Sequence, residues 1–179
     1  MPTSSPVVIT EVIAMVSQVP AAERRRVLDV GPGYGKYGLM LREYLNEKPR
    51  QLDAIEAWPQ YVIDFPWLGC IYDQVHVGDV CDRGSEFLAR YDVVLMADVL
   101  EHIPTSDALA MFARVPGRIV ICTPADFFHN GDNLPPTEAH VSHWTVEQLG
   151  AIAVDQGREM EVGYVNAVGA VLVRLGPIR

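Results

Sequence analysis

Short, continuously apolar segments alternate with segments of helical hydrophobic spacing along most of the chain. Continuous apolar runs of roughly four to eight residues are typical of strands buried on both faces of a parallel sheet. Such runs recur at Arg26–Val30, Gln51–Glu56, Gln74–Gly78, Tyr91–Ala97 and Arg118–Thr123. Their alternation with helical or polar spacers predicts a doubly wound α/β fold.

The C-terminal part of the chain follows a different pattern. A helix predicted for Thr145–Gln156, with a capping box from Thr145 to Gln148, precedes two more strands at Met160–Val165 and Ala170–Leu175. Strands joined by so short a connection must pair antiparallel, because parallel strands need a long crossover. The whole pattern predicts a Rossmann-like, mostly parallel seven-stranded sheet with a C-terminal antiparallel hairpin.

Two further helices are predicted in the N-terminal part. Apolar residues recur at helical spacing from Thr10 to Val19, with Thr10 as the expected N-cap and Pro20 as the end. The second helix is expected over Tyr34–Glu47, before Lys48-Pro49.

The first strand runs into a glycine-rich turn, Gly31-Pro32-Gly33-Tyr34-Gly35, that opens the second helix. Glycine suits such a turn because it adopts positive φ and because a Cβ would keep a bound nucleotide away from the backbone. The spacing of Gly33, Gly35 and Gly38 also satisfies the dinucleotide fingerprint, with Glu56 ending the next strand. The turn by itself therefore leaves the kind of nucleotide open.

Charge limits the class of partner. The net charge is −9, which makes nucleic acid an unexpected partner because affinity for it depends on Lys and Arg that neutralise phosphates. The run Arg24-Arg25-Arg26 directly precedes the first strand, and we interpret it as a solvated segment.

Length and cysteine content narrow the class of protein further. A chain of 179 residues suits one domain, residues 1–179, without the second domain that a dehydrogenase usually needs. Cys70, Cys81 and Cys122 form no C-x-x-C pair, so each is expected to be a buried small residue in a reducing compartment. The lack of a signal-peptide pattern or a membrane-spanning stretch predicts a soluble cytoplasmic protein without membrane contact. Oligomeric state is not predicted.

Further motifs make the glycine turn more specific. Asp29 precedes the turn, Gly78-Asp79-Val80 follows the third strand, and Ala97-Asp98-Val99-Leu100-Glu101-His102 follows the fourth. In this order and spacing the segments resemble the motifs of class I S-adenosylmethionine-dependent methyltransferases, over roughly Arg26 to Arg174. The resemblance implies S-adenosylmethionine as the cofactor and methyl transfer as the reaction.

The resemblance also implies a role for each motif. Asp29 would lie near the ammonium group, Glu56 would accept hydrogen bonds from both ribose hydroxyls, and Asp79 would accept one from the adenine amine. The implied cofactor-binding residues are Asp29, Gly31, Gly33, Tyr34, Gly35, Glu56, Ala57, Asp79, Val80, Ala97 and Asp98. Outside this register, Asp79 alone is typical of a turn and Glu56 of a solvated strand end.

Residues after the fourth strand and at the end of the segment Pro124–His143 offer acid–base or metal chemistry. The resemblance extends to ubiquinone-pathway O-methyltransferases, which share a Glu-His pair, and to small-RNA 3′-terminal 2′-O-methyltransferases, which bind a divalent metal. The implied catalytic residues are Glu101, His102 and His143, and the implied metal ligands are Asp98, Glu101, His102 and His140. The chain departs from the RNA branch at Asp98, which is shorter than glutamate, and in its lack of a basic surface. Alternatively, Glu101-His102 caps a helix and stacks beside the cofactor.

These observations favour methylation of a small molecule at oxygen. The acceptor pocket is expected from residues 1–20, 58–72 and 124–143, with the N-terminal helix as part of its lid and His129 on the surface. A methyltransferase for RNA-terminal ribose or another macromolecule remains an alternative, as does a non-catalytic S-adenosylmethionine-binding subunit. A nicotinamide-binding module is disfavoured by the length of the chain.

Overall fold

A single mixed sheet organises the chain. The computed structural model describes residues 6–126, 136–165 and 169–178. The strands are β1 (Arg26–Val30), β2 (Gln51–Glu56), β3 (Gln74–Val77), β4 (Val93–Ala97), β5 (Arg118–Pro124), β6 (Met160–Val165) and β7 (Ala170–Leu175). Their order is β3-β2-β1-β4-β5-β7-β6, and β7 runs antiparallel to both β5 and β6. The predicted seven-stranded sheet with a C-terminal antiparallel hairpin is confirmed.

Helices cover both faces of this sheet. They are α1 (Pro6–Ser17), α2 (Lys36–Tyr44), α3 (Pro59–Asp64), α4 (Leu68–Ile71), α5 (Ser85–Leu88), α6 (Thr105–Phe112) and α7 (Val146–Asp155). Short 3₁₀ turns are formed by Ala21–Glu23, Val80–Asp82, Leu100–His102 and Pro136–Glu138. None of the helices in the described residues has the length and apolarity needed to cross a bilayer.

Burial explains why the strands read as continuous apolar runs. Every residue of β4 is buried, because helices pack on both faces of the sheet. One core lies on the side of α1 and α2 and includes Val12, Leu41 and Leu68. The other lies on the side of α6 and α7 and includes Phe112 and Trp144.

Helix α1 corrects the predicted N-cap at Thr10. The helix begins at Pro6, and the Thr10 hydroxyl donates a hydrogen bond to the Val7 carbonyl, 2.8 Å away, from inside the helix. The apolar face continues back to Val8, which packs in the core, so the helix extends one turn further than Thr10 suggested. Helix α2 is shorter than predicted because Gly35 stays outside it with φ +82° and Leu45 turns to extended backbone.

Helix α7 begins as predicted. The Thr145 hydroxyl accepts a hydrogen bond from the Gln148 amide, and the Gln148 side chain accepts one from the Thr145 amide. This reciprocal capping box satisfies two donors that a helix N-terminus otherwise leaves unpaired. In the described part of the segment Pro124–His143, residues 136–138 form a 3₁₀ turn.

Two expectations about single residues are wrong. Cys70 is exposed rather than buried, because α4 is short and places it on the outer side, whereas Cys122 is buried in β5. Arg24 is buried rather than solvated. Its guanidinium donates to the carbonyls of Val19 and Glu47, so it ties the turn before β1 to the end of the α2 region instead of facing a phosphate.

Candidate active site

A cleft opens where β1, β2 and β4 end, at the carboxyl edge of the sheet. It encloses about 1010 Å³ of empty space when its open mouth is included. Open α/β sheets bind ligands at this edge. The described residues that line it are Val30, Gly31, Pro32, Gly33, Tyr34, Lys36, Tyr37, Ile55, Glu56, Ala57, Tyr61, Gly78, Asp79, Val80, Ala97, Asp98, Val99, His102, Ile103, Thr137 and Glu138.

The glycine turn forms one wall of the cleft. Gly33 has φ +51°, and a Cβ there would find no atom within 4 Å, so its backbone borders open space. Gly31 has φ +63°, and a Cβ there would come within 2.8 Å of the Val99 side chain. Gly31 therefore allows the turn to approach the segment after β4, and Gly33 leaves a cradle that a larger residue would fill.

Asp29 lies behind the turn rather than in the cleft lining. It is buried, and its carboxylate accepts a hydrogen bond from the Tyr72 hydroxyl at 2.5 Å. The pKa of Asp29 is raised to about 7, mainly by burial; the Tyr72 hydrogen bond opposes the rise and the nearby charge of Glu56 contributes to it. A Cβ at Gly38 would lie 2.3 Å from the Tyr72 ring, so Gly38 is explained by helix packing on Tyr72.

Glu56 ends β2 inside the cleft. Its Oε1 accepts a hydrogen bond from the Trp58 amide at 2.8 Å. Burial raises the pKa of Glu56, the Trp58 amide opposes that shift, and the charge of Glu138 adds to it. The sequence-based alternative of a solvated strand end is wrong, because the residue is buried.

Asp79 lines the cleft beyond Glu56. Its Oδ1 accepts a hydrogen bond from the Cys81 amide at 2.8 Å and so caps the 3₁₀ turn Val80–Asp82. Asp79 therefore caps the turn and also lines the cleft. Most of the predicted cofactor-binding residues share this lining: Gly31, Gly33, Tyr34, Glu56, Ala57, Asp79, Val80, Ala97 and Asp98. Asp29 and Gly35 are the two that do not.

Asp98 marks the point where the chain leaves β4. It has φ +55°, and among the described residues it is the one non-glycine with positive φ. Its amide donates to the Cys122 carbonyl at 2.8 Å, which holds it against β5. Such a conformation costs on the order of 1–3 kcal/mol, and strain of this kind concentrates at functional sites.

Glu101 lies in the 3₁₀ turn Leu100–His102. Its carboxylate is buried, and its Oε2 accepts a hydrogen bond from the Thr123 hydroxyl at 3.1 Å. Burial raises the pKa of Glu101 to about 8, and the charge of Asp98 contributes to the rise. The backbone carbonyl of Glu101 also accepts hydrogen bonds from the amides of Val141 and Ser142. These contacts bring the later segment beside the turn.

Two histidines meet next to Glu101. The Nδ1 atom of His102 lies 3.1 Å from the Ala139 carbonyl, and the His102 and His140 rings pack edge to face with centroids 4.9 Å apart. One ligand atom from each of Glu101, His102 and His140 lies within 4.8 Å of the others, which makes these three a candidate metal site. Asp98 is outside this group of three.

His143, which the resemblance implies to be catalytic, lies outside this group. His143 does not line the cleft, and its Nε2 lies 2.8 Å from the Ala125 carbonyl on the exposed side. Its catalytic role stays a prediction. His129, expected on the surface, falls outside the described residues.

Two residues that face the cleft were not singled out from the sequence, although both lie in the segments 58–72 and 124–143 expected to form the acceptor pocket. The Tyr61 hydroxyl on α3 donates a hydrogen bond to Glu138 Oε1 at 2.7 Å, joining positions 77 residues apart. Both residues line the cleft. Tyr61 belongs to an aromatic-rich stretch that the sequence made conspicuous, but nothing local marks Glu138, because its place depends on how the segment after β5 folds back.

Aromatic rings border the mouth on the side of the glycine turn. Tyr34 packs against Phe65 with ring centroids 4.6 Å apart, and the indole of Trp67 donates to the Tyr34 carbonyl at 3.0 Å. Tyr34 and Trp67 remain partly exposed. The aromatic stretch therefore braces the glycine turn from outside.

Known structures share this fold. No protein-family model and no curated protein matches the chain. Among solved structures, it is similar to an O-methyltransferase family protein from Burkholderia thailandensis, with 15% identity over 95% of this chain and 56% of that one, at a TM-score of 0.62. It is also similar to the N-terminal domain of EvdMO1, solved in the presence of SAH and D-fucose, with 16% identity over 99% and 85% of the two chains and a TM-score of 0.69.

A third similar structure is the methyltransferase domain of bacterial CtHen1. It has 15% identity over 93% of this chain and 97% of that one, at a TM-score of 0.61. The chain thus spans little more than half of the Burkholderia protein but nearly all of the CtHen1 domain. At these identities the likeness establishes the fold. The chain has the class I methyltransferase fold.

Proposed function

We propose that the chain is an S-adenosylmethionine-dependent methyltransferase that acts on an oxygen of a small molecule. The observation that carries this proposal is the composition of one cleft. The glycine turn and Glu56 lie on one side, and the Glu101, His102 and His140 group adjoins the other. The first side suits a nucleoside cofactor, and the second suits handling of a proton.

The residues present fit S-adenosylmethionine. The cradle at Gly33 is open, and the buried Glu56 offers a carboxylate that can accept two hydrogen bonds from a ribose diol. Asp79 and Asp98 add acidic groups along the lining, which suits a ligand with an amine, an ammonium and a sulfonium. SAH in the EvdMO1 structure, the demethylated form of the same cofactor, supports this assignment by analogy of fold.

His102 is the residue best placed to move a proton. S-adenosylmethionine, when bound, supplies a methyl group on a cationic sulfur, and transfer to a hydroxyl requires loss of the hydroxyl proton. The Ala139 carbonyl lies at hydrogen-bond distance from Nδ1 of His102, so the proton of a neutral ring belongs on Nδ1. Nε2 then keeps a lone pair that can accept a proton inside the cleft. Glu101 lies beside His102, and because its pKa is raised to about 8 it is protonated near neutral pH and places no negative charge there.

A divalent metal is the alternative use of the same residues. Glu101, His102 and His140 would hold it, since carboxylate and imidazole together suit transition metals and zinc. A bound metal would lower the pKa of an acceptor hydroxyl, and the buried Glu101 would then be ionised rather than protonated.

The second candidate substrate is an RNA end. The similarity to the CtHen1 methyltransferase domain and the Glu101, His102 and His140 group favour it. The net charge of −9 and the burial of Arg24 weigh against it, because the 14 lysines and arginines that could neutralise phosphates are outnumbered by 23 acidic residues. We therefore place the small-molecule acceptor first.

One set of measurements tests these alternatives. Calorimetric titration should show S-adenosylmethionine binding, and mass spectrometry should show SAH formation with hydroxylated small metabolites but not with RNA oligonucleotides. Salt-sensitive RNA binding with methylation of the terminal ribose would move the assignment to RNA. Tight cofactor binding without turnover of either substrate class would indicate a cofactor-binding subunit.

A further inference from the structure

A hydrogen bond closes part of the cleft between two distant segments. Tyr61 lies on α3, the helix that follows β2. Its hydroxyl donates a hydrogen bond to Glu138 in the 3₁₀ turn Pro136–Glu138. Both side chains face the cleft, and Glu138 is buried. A carboxylate that is buried at a cleft wall and held by a phenol is fixed in position rather than free to swing into solvent.

Glu138 shares this cleft with Glu56. Glu56 and Glu138 line the same cleft, and the charge of Glu138 contributes to the raised pKa of Glu56. Two carboxylates in one partly desolvated cleft repel each other unless a cation or several hydrogen-bond donors lie between them. Among the described residues of the lining, Lys36 is the only lysine or arginine.

This charge pattern selects the kind of nucleotide. The glycine turn also fits the dinucleotide fingerprint, so turn geometry alone does not reject a pyrophosphate. A phosphate brought beside Glu56 and Glu138 would meet two negative groups in a medium of reduced dielectric constant, where repulsion is strong. A sugar diol or an ammonium would instead bring hydrogen-bond donors or positive charge toward both carboxylates.

We propose that Glu138 is a second cofactor-binding carboxylate, held in place by Tyr61, and that Glu138 and Glu56 together make the cleft prefer a cationic, donor-rich nucleoside over one that carries phosphates. The proposal rests on the proposed function for the identity of that nucleoside. The proposal adds Glu138 and Tyr61 to the site and assigns them to the choice between nucleosides.

The decisive variant is Glu138→Gln. Glutamine has the same size and can still accept the Tyr61 hydrogen bond, so the change removes the charge alone. Calorimetric titrations with S-adenosylmethionine and with ADP, which shares the adenosine group but carries phosphates, measure the preference. We expect wild-type protein to bind S-adenosylmethionine at least about 100-fold more tightly than ADP, and Glu138→Gln to reduce that ratio about tenfold or more.

The matched control is Glu43→Gln. Glu43 is exposed on α2 and does not line the cleft, so its change in charge should leave the ratio within about twofold. An equal change of the ratio in both variants would mean that net charge alone sets the preference, and would overturn the proposal.

Tyr61→Phe tests the positioning role. Without its hydroxyl, Tyr61 no longer holds Glu138, and we expect about a fivefold loss of S-adenosylmethionine affinity. In the Glu138→Gln background the same change should cost much less, because the interaction to be lost is already weakened. Equal losses in both backgrounds would show that Tyr61 acts independently, and would remove it from the proposal. Should Glu138→Gln fail to fold, Tyr61→Phe and the wild-type preference still decide the outcome.

Failure of this inference is distinguishable from failure of the proposed function. No S-adenosylmethionine binding to wild-type protein would remove the proposed function. Normal binding with an unchanged preference in Glu138→Gln would remove only the role of Glu138. Wild-type protein that binds ADP as tightly as S-adenosylmethionine would refute the specificity directly.

Discussion

The two sides of the cleft are built differently. The glycine wall consists of Gly31–Tyr34, which follow β1, with Glu56 at the end of β2 and Ala57 directly after it. The histidine wall consists of Glu101, His102 and His140, and α6 and β5 separate His140 from the other two along the chain. The first wall follows from local motifs, whereas the second exists only because the later segment folds back onto the turn after β4.

The two walls also differ in how their carboxylates are satisfied. Glu56 receives a backbone amide from Trp58 two residues away, so local geometry supports its charge. Glu101 has a hydroxyl partner from β5 and a pKa raised to about 8, with two histidines beside it. The glycine wall is thus suited to binding, and the histidine wall to changes of protonation.

His102→Ala should have the largest effect if the walls divide the work in this way. We expect a loss of turnover of about 10²–10⁴-fold, as for removal of a general base, with S-adenosylmethionine affinity within about threefold. Steady-state kinetics and calorimetry on one preparation measure both. His143→Ala is the comparison, and a loss as large there would support the catalytic role predicted from the sequence for His143.

Chelator treatment separates the two uses of the histidine wall. Full activity in chelator, together with a pH profile altered in His102→Ala, would identify a base. Loss of activity that returns with a divalent ion would identify a metal site. Retention of activity in His102→Ala with and without chelator would remove both assignments.

Gly33→Val should lower cofactor affinity, whereas His102→Ala should lower turnover. Valine at φ +51° is strained, and its side chain would fill the open cradle, so cofactor affinity should fall by about 3 kcal/mol or more. Gly84→Val is the matched control, because Gly84 has ordinary extended backbone and open space around it. Calorimetry on both folded variants tests the placement of the site, and equal affinities would contradict it.

Glu56→Ala should weaken S-adenosylmethionine binding by about 1.5–3 kcal/mol, the range for losing hydrogen bonds to a charged group. Turnover at saturating cofactor should change little, since Glu56 belongs to the wall that binds. A fall in turnover at saturation with unchanged affinity would place Glu56 in the chemistry and blur the division between the walls.

Asp29→Asn should change stability rather than binding, because Asp29 lies behind the glycine wall. Its pKa is raised from 3.8 to about 7 in the folded protein. Between about pH 4 and pH 7, the folded state therefore keeps a proton that the unfolded state has already lost. Stability from this group is therefore complete at low pH and is lost as pH rises through that window. Urea unfolding measures the free energy of unfolding at pH 5 and at pH 7. From pH 5 to pH 7 this free energy should fall by on the order of 1–2 kcal/mol less in Asp29→Asn than in wild type. Identical falls would mean that Asp29 is ionised in the folded protein.

The sheet could be predicted from the sequence because its signal is local. Strands buried on both faces must be continuously apolar, and β1, β2, β6 and β7 have the predicted bounds. Helix ends were less predictable. Thr10 has the chemistry of an N-cap, but the tertiary contacts of Val8 with the core extended the helix past it.

The sequence by itself determined the fold and the glycine wall. Glycine spacing places Gly31 and Gly33 just after β1, and the parallel pairing of β1 with β2 brings Glu56 to the same edge of the sheet. Only the tertiary structure decided that Asp29 faces Tyr72, that Glu138 meets Tyr61, and that the His102 and His140 rings pack against each other. These contacts depend on which way a long connection folds back, and no periodicity or local spacing encodes that direction.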